Sequence, residues 1–92
     1  MANNVQIQLQ RSKEMKAKVQ EFAATLTREM DDLKETLYES VRAGFPEDIA
    51  ETYRVSCYEP DHDIINALSN EMRNRHVDFL DRIIADLEGA IS

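Results

Sequence analysis

Two short clusters hold the residue types most able to do chemistry. Asp61-His62-Asp63 sets three potential metal ligands side by side, and Arg73-Asn74-Arg75-His76 sets two guanidinium groups beside an imidazole. Adjacent residues on a helix point in different directions, and the first cluster has no second group of ligands one turn on. The other histidine, His76, is 14 residues further, about 20 Å along a helix. Asp61 and Asp63 are therefore read as acids that favour a helix N-terminus, and neither a metal nor a cofactor is expected. Arg73, Arg75 and His76 are a candidate clamp for an anionic ligand such as a phosphate across an oligomer interface. The bland competitor is a local i,i+4 pair between Glu71 and Arg75.

Catalytic templates are missing from the chain. It has no glycine-rich phosphate loop, no GxSxG, no CxxC and no HExxH, and His76 has no nucleophile or acid at helical spacing to work with. Cys57 is the single cysteine, set in a tract whose surplus of negative charge works against a thiolate nucleophile. It is read as a small buried or half-buried residue. No enzyme is expected.

The elements that would position these groups are helices. Three of the four glycines and prolines fall between Gly44 and Pro60, so the breakers isolate a middle segment from two long stretches. In the first stretch, large apolar residues fall at Met15, Val19, Phe22, Leu26, Met30, Leu33, Leu37 and Val41, steps of 3 and 4 that belong to a helix. The pattern recurs every eleven residues, a period that predicts a straight or slightly right-handed helix rather than a left-handed zipper. Gly44 is placed to end it in the left-handed conformation.

The second stretch carries two apolar rows, Ile65-Leu68-Met72-(His76)-Phe79-Ile83-Leu87 and Val77-Leu80-Ile84-Leu87-Ile91, more than one partner helix requires. Between the stretches, residues 46–53 read as a short helix with Pro46 near its start, and 54–58 as a loop or extended piece. Residues 4–10 alternate Val5-Gln6-Ile7-Gln8-Leu9-Gln10 and are read as a separate arm or short helix, because no second strand exists to pair with them.

The expected fold is a single all-α domain. It is an antiparallel helical hairpin of 12–43 on 61–90, with a short connector helix at 46–53 and an N-terminal arm at 4–10, packing into a homo-oligomer. Fold-back would bring Lys13, Lys16 and Lys18 near Asp78, Asp81, Asp86 and Glu88, and Val77, Leu80, Ile84 and Ile91 are the expected oligomer interface.

Composition bounds the rest. The chain has 92 residues, 42% of them hydrophobic and 32% charged, with a net charge of -7. So short a chain buries a modest core alone, which favours association with a partner or with copies of itself. The acidic balance argues against direct binding to nucleic acid, no apolar run is long enough for a bilayer, and MANNVQIQLQ lacks the parts of a signal peptide. A lone cysteine suits a reducing compartment. A cytoplasmic protein is expected, with no membrane partner.

Charge is unevenly spread: residues 1–20 sum to +3, 21–46 to -3, 47–63 to -5 and 64–92 to -2. The middle tract also holds aromatic residues, so Phe45, Glu47, Asp48, Glu51, Tyr53, Tyr58, Asp61 and Asp63 are the candidate surface for a basic protein partner. The competing reading is that the aromatics plug the end of the hairpin. Acidic two-helix chains of this size resemble WXG-type hairpins, secretion chaperones and small inhibitors in general plan. The turn here reads Arg42-Ala43-Gly44-Phe45 with no Trp-x-Gly, so no family's residues are carried over.

The function expected is a self-associating, non-enzymatic binding protein or inhibitor that engages another macromolecule through its acidic middle. The alternatives are an adaptor or chaperone completed by a client helix, and an oligomer that binds a small anionic ligand.

Overall fold

The computed structural model describes residues 2–91, and the side chains of 4–91. Among them there is no strand. Helix α1 is Ala2–Arg42, α2 is Glu47–Tyr53, α3 is Glu59–Glu71 and α4 is Val77–Ile91. Five-residue π-helical turns, Arg54–Tyr58 and Met72–His76, join α2 to α3 and α3 to α4. No helix among the described residues is long and apolar enough to cross a membrane.

The chain divides into two compact units. A terminal unit takes the chain up to Ala23 and from Asn70 onward, and a central unit takes Ala24–Ser69. In the terminal unit, Lys16 Nζ lies 2.6 Å from Asp81 Oδ1, the contact expected of an antiparallel hairpin. Lys18 reaches back to Glu21 on its own helix instead, at 3.7 Å. In the central unit, the Thr27 and Ser69 hydroxyls meet at 3.3 Å and the Tyr58 hydroxyl donates to the Met30 carbonyl at 3.1 Å. Moving up α1 from Thr27 to Met30 thus moves down the second strand of helices from Ser69 to Tyr58, an antiparallel order.

Residues 4–10 are part of α1 rather than a separate arm. The apolar residues Val5 and Leu9 are half-buried while Gln6, Ile7, Gln8 and Gln10 are exposed, so the alternation that resembled a strand is one helical face. The covered face of α1 runs Val5, Leu9, Ser12, Lys16, Val19, Ala23, Leu26, Met30, each buried or half-buried. Its steps alternate 4 and 3, the seven-residue period of a coiled-coil seam and not the eleven-residue one expected. The reason for the difference is residue size. Ser12 and Ala23 are buried and let the helices approach closely, whereas a search for large apolar residues passes over them. Met15, Phe22 and Leu33, all on the expected stripe, are 57%, 49% and 40% exposed.

A Schellman motif ends α1. The Phe45 N–H reaches the Ser40 carbonyl at 2.9 Å and the Gly44 N–H the Val41 carbonyl at 3.1 Å, which satisfies two orphan carbonyls. Gly44 has φ +111, open to glycine and strained for other residues. Pro46 sits one position earlier than expected, as the N-cap of α2.

The expected loop at 54–58 is helical instead. The Glu59 N–H bonds to the Arg54 carbonyl, five residues back, and the Val77 N–H likewise bonds to Met72. Two features of the sequence account for the first turn. Pro60 has no N–H to give, and in a regular helix its ring would press on the carbonyl of Ser56. The covered row also steps 50, 54, 58, 62, three fours in succession, and the extra residue of a π turn keeps such a row on one face. The same spacing recurs at 72, 76, 80, 84 across the second π turn. The long helix expected to start at 61 therefore begins as α3 at Glu59.

Candidate functional site

The central unit holds eleven acidic residues against four basic ones, so the whole net charge of -7 resides in it. Seven of each in the terminal unit leave that unit neutral. Glu47, Asp48, Glu51, Asp61 and Asp63 are all exposed. Phe45, Ile49 and Tyr53 recur every four residues from the turn into α2, and they are 45%, 54% and 38% exposed. Ile49 and Tyr53 thus lie on α2, and Phe45 in the turn before it, among carboxylates. Ile49, which the four-residue spacing places on one face of the short helix with Tyr53, was left out of the candidate partner surface, although it is exposed beside it. Tyr38 and Val55 are also exposed in this unit.

Tyr58 does not belong to that surface. It is 5% exposed, and its phenol is held to the Met30 carbonyl. Burial pushes its pKa above the ordinary 10.0, and the negative charge of Asp31 adds to the shift. The ring stacks on His62, with centroids 5.7 Å apart. His62 in turn lines a cavity of about one water with Thr27, Met30, Asp31, Ile65 and Asn66. Asp61 and Asp63 are exposed while His62 is half-buried, and His62 Nδ1 lies 3.5 Å from Asp63 Oδ1. No group of three potential metal ligands occurs among the described residues.

Arg54 fixes the backbone under the exposed aromatics. Its guanidinium bonds to Glu51 at 2.5 and 3.1 Å and also to Glu59, tying α2 to α3 across the first π turn. The hydrogen bond from Arg54 holds the Glu51 carboxyl below the usual carboxylate range, and Glu51 raises the guanidinium in return. Cys57, expected to be at least half-buried, is exposed. The π turn that replaces the expected loop carries it outward.

The anion clamp is only partly assembled. Arg75 and His76 line one apolar groove with Met15, Val19, Phe79 and Leu80, while Arg73 is not part of it. Arg75 is engaged by Glu71 at 2.9 Å. Of the expected oligomer interface, Leu80 and Ile84 are buried at 6% and 8% exposure within the chain itself. They are spent on the intrachain seam, because the apolar row that turns inward includes them. Val77 is half-buried, Ile91 is exposed, and the most exposed large apolar residue of α4 is Phe79, at 64%. Comparison of the chain with family models, with characterised proteins and with solved structures finds no match.

Proposed function

We propose that this chain is a non-enzymatic, self-associating helical binding protein that holds a basic macromolecule on its acidic central unit. The observation that carries the reading is the segregation of all the net charge into Ala24–Ser69, beside the exposed row Phe45, Ile49, Tyr53. Carboxylates attract a cationic surface from about a Debye length away, roughly 8 to 10 Å at ordinary ionic strength. Aromatic side chains then supply short-range contact area at little cost in side-chain entropy. The Arg54 clamp keeps α2 and α3 in register, so the surface is preorganised. Inhibition of the bound partner would follow wherever the covered basic surface is its working one. The lone, exposed thiol of Cys57 fits a reducing, cytoplasmic setting.

The anionic-ligand reading rests on Arg75 and His76 sharing a groove. It ranks second because Arg75 already has a carboxylate partner.

A lysine-rich peptide with interspersed leucines serves as the test probe, titrated by fluorescence anisotropy. Binding should weaken as salt rises. It should fall at least about tenfold both in the amide variant (Glu47→Gln, Asp48→Asn, Glu51→Gln, Asp61→Asn, Asp63→Asn) and in the pair Phe45→Ser with Tyr53→Ser, with helical circular dichroism retained. If the amide variant lost binding and the aromatic pair kept it, the contact would be bare charge attraction and no specific surface would exist.

A further inference from the structure

We infer that an apolar flank of the central unit, Leu26 and Leu33 on α1 with Ile64 and Leu68 on α3, receives one basic amphipathic helix of the partner, laid beside the two as a third. The inference rests on the basic-partner reading above and adds the conformation in which that partner is held. The water-sized cavity fixes the sides of the hairpin within this unit. Thr27 and Asp31 line it from α1, and His62 and Asn66 from α3. At about 100° per residue, the first two lie on one hand of the covered Met30 and the second two on the same hand of the covered Ile65. That is the polar side of the seam. On the other hand of each helix fall Leu26, Glu29 and Leu33, and Asp61, Ile64 and Leu68, both sets spaced by 3 and then 4. Leu33, Ile64 and Leu68 are 40%, 66% and 44% exposed, and Leu26 is half-buried.

Backbone chemistry selects a helix. No strand exists among the described residues, so an extended peptide finds no edge to pair with and would lay its own N–H and C=O groups unsatisfied on leucine and isoleucine. A helix satisfies its backbone internally and offers apolar side chains at the same 3 and 4 spacing. A few anchors one turn apart are what recognition of a helix uses, a smaller contact than two folded domains need. Charge sets the sign of the occupant. In the terminal unit Glu14, Glu21, Glu71, Asp78 and Asp81 each pair with a base. In the central unit the carboxylates paired among the described residues are Glu51 and Glu59, both with Arg54, and Asp63 with His62. Glu29 and Asp61, which border the apolar flank, are left for cations that a partner brings. Lysines or arginines beside the partner's apolar row supply them, whereas a second copy of this chain would set another central unit at -7 against the first.

The test compares two peptides of lysine and leucine, equal in length and composition, titrated against the full chain by fluorescence anisotropy. In one the leucines fall 3 and 4 apart, and in the other they are shuffled off any single helical face. The patterned peptide should bind about tenfold tighter or more. Ile64→Ser with Leu68→Ser should bring it down to the level of the shuffled one, with the circular dichroism of the chain retained. Ile64→Ser alone, at the most exposed of these sites, should remove part of the preference, so the question stays answerable if the pair fails to fold. Equal binding of the two peptides by the wild type overturns the inference, while salt-sensitive binding that the amide variant loses leaves the acidic-unit reading standing. A preference that survives both serine variants and disappears with Phe45→Ser and Tyr53→Ser also overturns it, since the helix then lies on α2. So does a chain that sediments as a dimer and is split by Ile64→Ser with Leu68→Ser, which would mean that a second copy occupies the flank. Binding of neither peptide sinks the basic-partner reading itself, and this inference with it.

Discussion

The two units of the chain use the same helical hairpin to opposite ends. The terminal unit is electrically neutral, ties α1 to α4 through Lys16 and Asp81, and leaves Met15, Phe22 and Phe79 bare. The central unit carries all the net charge, joins its helices through a buried tyrosine and a pair of hydroxyls, and exposes Phe45, Ile49 and Tyr53 among carboxylates. One unit can meet a copy of itself without electrostatic penalty. The other cannot, and is suited to a cationic partner. On the proposed reading, charge placement within one helical chain separates self-contact from partner binding.

The largest effect is expected at Tyr58. Removing its ring by Tyr58→Ala should cost about 3–5 kcal/mol, the range for deleting a buried aromatic. Urea denaturation measures the loss, and amide exchange should rise more in residues 24–69 than in the terminal unit. Tyr58→Phe keeps the ring and loses the hydrogen bond to Met30, for about 1 kcal/mol. The phenol also predicts a pH dependence. Its folded pKa is raised above 10.0, so the unfolded chain releases this proton first as pH rises. Stability should be intact below pH 10.0 and fall through the interval up to the folded value. Tyr58→Phe should remove that part of the alkaline loss.

A smaller effect sharpens the junction between α1 and α2. Gly44→Ala places a side chain at φ +111 and should destabilise by about 1 kcal/mol or a little more, through backbone strain alone, since nothing lies near the added methyl. Thermal unfolding of the variant measures it. Loss of the Schellman geometry would also disturb Phe45, whose N–H closes the motif. The smallest effect is expected at the ion pair of the terminal unit. Lys16 and Asp81 are partly exposed, so a double-mutant cycle with Lys16→Ala and Asp81→Ala should give a coupling below about 1 kcal/mol that fades with salt. A larger, salt-resistant coupling would mean that the neutral unit relies on charge pairing rather than on its seam.

Much of this was legible in the sequence because it depends on periodicity and punctuation. The 3 and 4 steps after Met15 mark a helix, Gly44 marks its end, and the run of acids from Glu47 to Asp63 marks the charged surface. Which face turns inward was not legible. The seam uses Ser12, Ala23 and Ser69, small residues that carry no hydrophobic signal, and it displaces Met15 and Phe22 outward. For the same reason Leu80 and Ile84 are core residues, and Phe79 takes the exposed place once assigned to them. The stretch 54–58 lacked any regular helical signal because its helix is not regular. A π turn adds one residue to the period, and Pro60 just beyond it mimics a boundary. Tyr58 resembled its exposed neighbours by composition, and only the row 50, 54, 58, 62 distinguishes it.

The division of labour between the units is tested most directly by titrating the lysine-rich peptide against the Phe79→Asp chain. If self-association and partner binding occupy separate units, this variant binds the peptide with a per-chain affinity within about twofold of the wild type. If removing the apolar contact on α4 abolishes peptide binding while the helices remain folded, the two tasks share one surface, and the account is contradicted.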